Sequence, residues 1–292
     1  MARRNLVVVR AGDKSLHPRW LEGNGERNWD CVVSYFGDDP NLFRVDDIIR
    51  IDGRGPKWQG LRDVFVKCPE LLQNYEYLLL PDDDLLMSKH DINRLFEICE
   101  ANKFEVCHPT LTWDSYYSHF ITLHNAGTRI RYTNFIELMA PCLSRRILSE
   151  TLSLFANTVS GWGLERAWAK LAGPMKMALI DEVAICHTRP MGGPNYRFLA
   201  AKNVSAWDEM RSVCHTIGVE EDHPIETYSA VLANGRRLHR CRNDRRFDFR
   251  LLRGWLPALK NPKMPRKYMA RRMLGYTYRA LTQTPHRAIQ NG

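Results

Sequence analysis

The sequence contains no apolar run approaching the roughly 18 residues that a membrane-spanning helix needs. At the N-terminus, Leu6 to Val9 is cut short by Arg10 and Asp13, too brief a run for the apolar core of a signal peptide. The expected location is therefore the cytoplasm, with a peripheral position on the inner face of the membrane left open. Paired cysteines are lacking too. Eight cysteines are scattered over 292 residues, with no C-x-x-C and no Cys/His group at zinc-finger spacing. They read as reduced thiols, and Cys99, Cys107, Cys142 and Cys186, which sit inside apolar runs, as small hydrophobes. There is no internal repeat. What is present, 44% hydrophobic and 26% charged residues, suffices for one large α/β domain or a domain with an appendage.

The net charge of +9 is unevenly placed. From Arg236 to Arg279, fifteen Lys and Arg face two carboxylates, Asp244 and Asp248, so the rest of the chain is net acidic. That asymmetry divides the chain into a body over residues 1–235 and a basic, mainly helical extension over residues 236–292.

Within the body, strand-like and helix-like segments alternate. Asn5 to Arg10, Trp29 to Phe36 and Val45 to Ile51 are rich in β-branched residues and end near Gly or Asp, as strands do. Lys57 to Leu72 repeats apolar residues at Leu61, Val64, Phe65 and Cys68, a helical period interrupted by Pro69. Tyr75 to Leu80 is nearly all apolar, the pattern of a strand buried on both faces of a parallel sheet. Ser88 with Asp91 predicts a capping box before a helix that turns Ile92, Leu95, Phe96 and Cys99 inward. Glu105 to Pro109 and Phe135 to Ala140 read as strands and Ser144 to Phe155 as a helix. Gly161 to Glu165 reads as a glycine-rich start to a helix reaching about Ala172, and Met175 to His187 as one or two β segments. Thr188 to Pro194 is a loop by composition, and the pattern weakens from about Asn195. Such alternation predicts a layered α/β sheet with helices on its faces, in which ligands gather at the carboxyl ends of strands.

Asp82, Asp83 and Asp84 emerge from such a strand end, where oxygen ligands suit Mg²⁺ or Mn²⁺ holding a diphosphate. The same run is also compatible with a solvated acidic turn. Glu137, a candidate catalytic base alongside Glu165, lies in an otherwise apolar segment, where a buried carboxylate is costly without a partner or a task. Trp162 stands between two glycines, and its indole suits either stacking on an acceptor sugar or packing in the core. Arg10 and Gly12 close the first strand, where a basic side chain could reach phosphate. Lys57 and Gly60, after the turn at 51–56, are further candidates for donor binding, with Lys57 equally readable as a solvated lysine.

Tyr77 to Leu85 resembles the D-x-D region of GT-A-type glycosyltransferases. In closer detail the chain is similar to a plant and bacterial family known as domain-of-unknown-function family 707, thought to be glycosyltransferases. The matching pieces are the Asp triplet, His119 to Thr122, Glu137 to Pro141, Gly161 to Glu165, Ile180 to His187 and Arg189 to Gly193. Where plant relatives show a double His before Ile-Thr, this chain has Ser118-His119. The resemblance implies a GT-A-like, Rossmann-like mixed sheet flanked by helices. It implies Asp84 as a direct metal ligand, Asp82 and Asp83 supporting metal and ribose, and His187 as a further ligand, against the alternative of an ordinary partly buried histidine. Glu165 resembles the acidic residue of the W-G-x-[ED] motif, the base in several inverting GT-A families. Its alternative is a first-turn helix acid favoured by the dipole. His119 falls with Trp162 on the acceptor side.

The extension mixes its cations with Phe247, Phe249, Leu251, Leu252, Trp255, Leu256, Tyr268, Met269, Tyr276 and Tyr278. Arginine-rich amphipathic helices of this kind lie in the headgroup region of anionic membranes. Phosphate backbones attract the same charges, but nucleic acid is the disfavoured partner. The expectation is a metal-dependent, inverting glycosyltransferase that moves a sugar from a nucleoside-diphosphate donor, a UDP-sugar first, to a glycan or lipid-linked glycan in polysaccharide biosynthesis. The alternatives are a metal-dependent nucleotidyltransferase or phosphohydrolase, and a non-enzymatic membrane- or nucleic-acid-binding protein.

Overall fold

The computed structural model describes residues 3–190, 192, 199, 204–221, 224–241, 246–260, 263 and 265–282. The strands are β1 (Asn5–Ala11), β2 (Trp29–Tyr35), β3 (Ile49–Asp52), β4 (Tyr77–Leu79), β5 (Leu85–Leu86), β6 (Val106–Leu111), β7 (Thr128–Thr133), β8 (Cys142–Ser144), β9 (Met177–His187), β10 (Thr227–Leu232) and β11 (Arg237–His239). They form one sheet in the order β11-β10-β7-β9-β6-β8-β4-β1-β2-β3, with β5 paired to β9. The β4-β1-β2-β3 half is parallel, and antiparallel β8 joins it to β6.

Every residue of β1 is buried, as its unbroken apolar run requires of a strand covered on both faces. Its side chains alternate between two core layers: Val7 and Val9 enter one, Leu6 and Val8 the other. The Leu6 layer is closed by α2 (Lys57–Lys67), α5 (Arg145–Thr151) and α6 (Leu164–Ala172), through Trp58, Leu61, Phe65, Ile147 and Trp168. The Val7 layer is closed by α4 (Lys89–Asn102), which carries the expected capping box at Ser88 and Asp91 and buries Ile92, Leu95, Phe96 and Cys99. Three thiols from separate elements, Cys99, Cys107 and Cys142, meet in that layer, with Cys99 Sγ 2.8 Å from Cys107 Sγ and 3.7 Å from Cys142 Sγ.

The helical period over Lys57 to Leu72 breaks at Pro69 as expected: α2 stops at Lys67, and Pro69, which cannot continue its hydrogen bonding, opens α3 (Glu70–Asn74). Two other expectations are corrected. The strand expected from Val45 begins only at Ile49; Val45 is exposed and pairs with no strand. Phe135 to Ala140 is an irregular buried loop. The amides at its two ends are capped by side chains, Phe135 N by Thr133 Oγ1 at 3.2 Å and Ala140 N by His108 Nε2 at 3.2 Å. Its apolar residues fill the core and imitate a strand in composition.

The 235/236 boundary falls inside the β10-β11 hairpin, so the sheet does not part there. Beyond α7 (Ala206–Ile217), α8 (Arg246–Gly254) and α9 (Arg266–Thr282) send Phe247, Leu251, Trp255 and Met269 into the same core layer as Val7. Most of the large apolar residues of the basic extension are thus spent on the fold, while Phe249, Leu256 and Tyr278 stay exposed. Among the described residues no helix is long and apolar enough to cross a membrane. The extension's residues 242–245 and 283–292, and Met191 and Gly193 of the Arg189 to Gly193 piece, lie outside the described residues.

Candidate active site

Asp82, Asp83 and Asp84 leave the carboxyl end of β4 and each is held differently. Asp82 N donates to Met139 O at 2.8 Å, and Asp82 Oδ1 accepts from Lys57 Nζ at 2.6 Å. Lys57, at the start of α2, also donates to Leu138 O at 2.8 Å and is buried, which removes its reading as a solvated lysine. Asp83 Oδ2 accepts from Gly12 N at 2.9 Å, and its Oδ1 lies 3.4 Å from Arg189 Nη1. Burial pushes the Asp83 carboxyl up to about 6, against the pull of the Gly12 amide and the Arg189 charge. Arg189 donates as well to Lys14 O at 2.5 Å, so it ties the triplet to the loop after β1.

Asp84 meets His187 because β5 pairs with the end of β9 in the register Leu85 to His187. Asp84 Oδ2 and His187 Nε2 are 3.4 Å apart, and Asp84 Oδ1 is buried without a hydrogen-bond partner. The imidazole is fixed from behind: its Nδ1 is 3.0 Å from Tyr116 O, and its backbone N donates to Ser115 Oγ at 3.1 Å. Burial opposes charging His187, yet Asp84 and the Tyr116 carbonyl hold its pKa above the ordinary imidazole value. Nδ1 engaged by a carbonyl leaves Nε2 directed at Asp84, the arrangement seen when an imidazole serves as a ligand.

Glu137 is buried too, its Oε2 has no hydrogen-bond partner, and the charges of His187 and Asp82 act on it. Burial raises its pKa to about 7, with His187 and the Thr122 and Ser118 hydroxyls acting in the other direction. Glu165 sits in the first turn of α6, where its Oε2 accepts from Gly163 N at 3.0 Å and its Oε1 lies 3.9 Å from Arg166 Nε. Its described partners do not include the Asp/His cluster. The two are linked through α2, since a Cβ on Gly161 would come within 2.0 Å of Trp58 Nε1, next to Lys57.

Other expected site residues are placed as follows. Arg10 is buried with its Nη groups spent on Ser34 Oγ at 2.9 Å, Gly53 O at 2.7 Å and Gly55 O at 2.9 Å, so it shapes the β1 end rather than offering a charge. Gly60 lets that guanidinium pass: a Cβ there would meet Arg10 Nε at 2.4 Å. Gly12 offers its amide to Asp83, as above. The Trp162 ring is not left open by its glycines; it packs on Trp207 with centroids 5.1 Å apart. Those glycines answer to backbone needs, φ +83° at Gly161 and +98° at Gly163. Gly161→Ala is expected to cost about 2 kcal/mol or more, from strain at positive φ and collision with Trp58, read as a lowered midpoint in urea unfolding. His119 lies against Phe135, ring centroids 4.5 Å apart.

Lys57 as the partner of Asp82, Ser115 and Tyr116 behind His187, and Arg189 beside Asp83 were not singled out with those roles from sequence. Only the position of Arg189, two residues after His187, carried a signal. A cavity of about 430 Å³ lined by Arg3, Leu21, Arg27, Asp47, Ile48 and Lys89 shares no residue with this site.

Comparison with solved structures finds the S. aureus TarS 1-349 chain in complex with UDP-GlcNAc, 11% identical, with a TM-score of 0.51 over 73% of this chain and 65% of that one. A longer S. aureus TarS structure matches at 10% identity and a TM-score of 0.50 over 75% of this chain and 41% of that one. This chain thus spans less than two thirds of either. These likenesses establish the fold as the mixed α/β GT-A type. Comparison with curated protein sequences finds no match. A protein-family match covers residues 56–223, more than half of the 292, and takes in the Asp triplet, Glu137, Glu165 and His187. The chain belongs to the family described as "Protein of unknown function (DUF707)".

Proposed function

We propose that the protein is a metal-dependent glycosyltransferase using a nucleoside-diphosphate-sugar donor, a UDP-sugar first. The observation that carries this reading is the Asp84–His187 pair at the β4 end, with a buried, unpartnered Asp84 oxygen beside a back-bonded imidazole. An oxygen-plus-imidazole set at a strand end fits Mn²⁺ better than Mg²⁺. Asp84 and His187 would hold the ion, with Asp82 behind them fixed by Lys57. The ion would stabilise negative charge on the departing diphosphate. The UDP-GlcNAc complex of the similarly folded S. aureus TarS supports the choice of donor class.

The chain's own groups divide the remaining work. Gly12, Asp83 and Arg189 frame the donor end. A carboxylate must take the proton of the acceptor hydroxyl as it attacks the sugar from the face opposite the diphosphate, which inverts the anomeric centre. Glu137 is favoured as that base over Glu165, because the charges of His187 and Asp82 act on it and one of its oxygens is free of partners. The acceptor is a glycan or lipid-linked glycan, in keeping with a basic C-terminal surface suited to an anionic membrane.

The test is thermal unfolding with UDP, other nucleoside diphosphates and UDP-sugars, with and without Mn²⁺. A nucleotide at about 100 times its Kd should stabilise the protein by about 2.7 kcal/mol, a rise of several degrees. EDTA and Asp84→Ala should each abolish it. No nucleotide giving a Mn²⁺-dependent rise would end this reading, and phosphate release from the nucleotide without sugar transfer would favour the phosphohydrolase alternative.

A further inference from the structure

Cys99, Cys107 and Cys142 come together from three elements: the last turn of α4, the start of β6 and the start of β8. β6 and β8 are antiparallel, and Cys107 stands opposite Cys142 in their register, so both side chains leave the same face of the sheet. α4 lays Cys99 over them, with its Sγ 2.8 Å from Cys107 Sγ and 3.7 Å from Cys142 Sγ. All three sulfurs lie within 4.8 Å of one another, close enough for a single ion to reach each of them. The residues are 0%, 0% and 1% exposed and sit in the apolar layer that holds Val7. The group shares no residue with the Asp84–His187 site and is independent of the glycosyltransferase reading.

Sulfur donors favour soft ions, and two features of this group narrow the choice. Among the described residues no fourth His, Cys, Asp or Glu ligand atom lies within 4.8 Å of all three sulfurs, so the closed tetrahedron of a structural zinc site is not completed. The second feature is charge. Burial drives each thiol well above the ordinary thiol range, and the Glu100 carboxylate pushes Cys99 the same way. Three thiolates around Cu⁺ or Zn²⁺ would leave net negative charge in an apolar core, which is costly. A trivalent ion leaves none.

Arsenite, As(OH)₃ in neutral solution, supplies such an ion. Each As–OH bond is exchanged for an As–S bond, and the thiol proton leaves with the hydroxide as water. Three thiols and one arsenite thus give As(S-Cys)₃ and three waters, with nothing oxidised or reduced and no proton released. The product is neutral and three-coordinate, as the pocket requires. We propose that Cys99, Cys107 and Cys142 form a capture site for trivalent arsenic, held as a neutral tris-thiolate between α4, β6 and β8. Its bonds would fasten the end of α4 to the β6–β8 pair.

The test takes the full chain, reduced with a phosphine so that no competing thiol is present, and incubates it overnight with sodium arsenite, since sulfurs this deeply buried are reached only through local opening. After gel filtration the protein should retain one arsenic per chain by elemental mass spectrometry. X-ray absorption at the arsenic edge should show three sulfur neighbours and no oxygen. The dissociation constant should change by less than about threefold between pH 6 and pH 8, whereas an ion that displaces thiol protons is held more weakly as the pH falls. Cys107→Ala and Cys142→Ala should each weaken retention tenfold or more, and Cys31→Ala, which removes a buried cysteine outside the group, should not. If either of the first two variants fails to fold, X-ray absorption of the wild type decides alone. No retained arsenic, an oxygen bound to it, or equal loss in Cys31→Ala would overturn the site.

Discussion

Asp181→Ala is expected to destabilise the protein by about 3 to 5 kcal/mol, enough to leave much of it unfolded or insoluble at 37 °C. Asp181 and Arg131 are both fully buried and meet through two contacts, Nε to Oδ2 at 2.8 Å and Nη2 to Oδ1 at 2.9 Å. Arg131 also donates to Ile121 O at 2.6 Å and Leu123 O at 3.0 Å, and its guanidinium lies 5.1 Å from the Trp255 ring. Asp181 accepts from Asn125 N at 2.9 Å and Thr128 Oγ1 at 2.6 Å. Deleting the carboxylate leaves a buried guanidinium without its counter-charge and two donors without an acceptor, and neither can turn to water. The exposed pair Arg19–Glu22, at 3.2 Å, is the contrast: Glu22→Ala should cost less than about 1 kcal/mol. Urea unfolding of the two variants settles it, and similar midpoints would refute the account. Asp181 belongs to the same motif as His187, yet its work is to pin the middle of β9, whose end carries the imidazole to Asp84.

Glu137→Gln is expected to make the protein more stable and nearly inactive. In the metal-free fold the Glu137 carboxyl titrates at about 7, against an ordinary 4.5, because ionising it in a buried site is costly. The folded state therefore holds the proton more tightly than the unfolded chain. The stability this contributes is complete below pH 4.5 and is lost as the pH rises through 7, amounting to about 3 kcal/mol. Glutamine does not titrate, so the variant should match the wild type near pH 4.5 and exceed it at pH 8 in EDTA. Transfer, measured with UDP-sugar and Mn²⁺ at saturating donor, should fall by about 10² to 10⁴ if Glu137 is the base. Glu165→Gln is the companion measurement. A loss of that size in Glu165→Gln with little change in Glu137→Gln would return the role of base to Glu165.

Much of the scaffold was legible because its cause is local. The capping box at Ser88 and Asp91 joins neighbours in the chain, and the inward face of α4 follows from a helical period, so both were readable without the fold. The β-branched run of β1 likewise read as a strand from its own residues. Phe135 to Ala140 misled because burial, not strand pairing, selects its apolar residues, and the side chains of Thr133 and His108 cap the amides at its two ends. The basic extension was legible only in part. Its charges are visible in the sequence, but its aromatic residues could cover either a membrane or a sheet, and the tertiary structure assigns Trp255 and Met269 to the core.

By itself the sequence determined the α/β alternation, the place of the Asp triplet at a strand end, and the family to which residues 56–223 belong. These rest on periodicity and on short motifs, which are properties of neighbouring residues. The tertiary structure decided what each charged group does: that Lys57 serves Asp82, that Arg10 serves the backbone at Gly53 and Gly55, and that His187 meets Asp84. The energy of a charge depends on its burial and on partners distant in the chain, and neither is set until the strands have found their register.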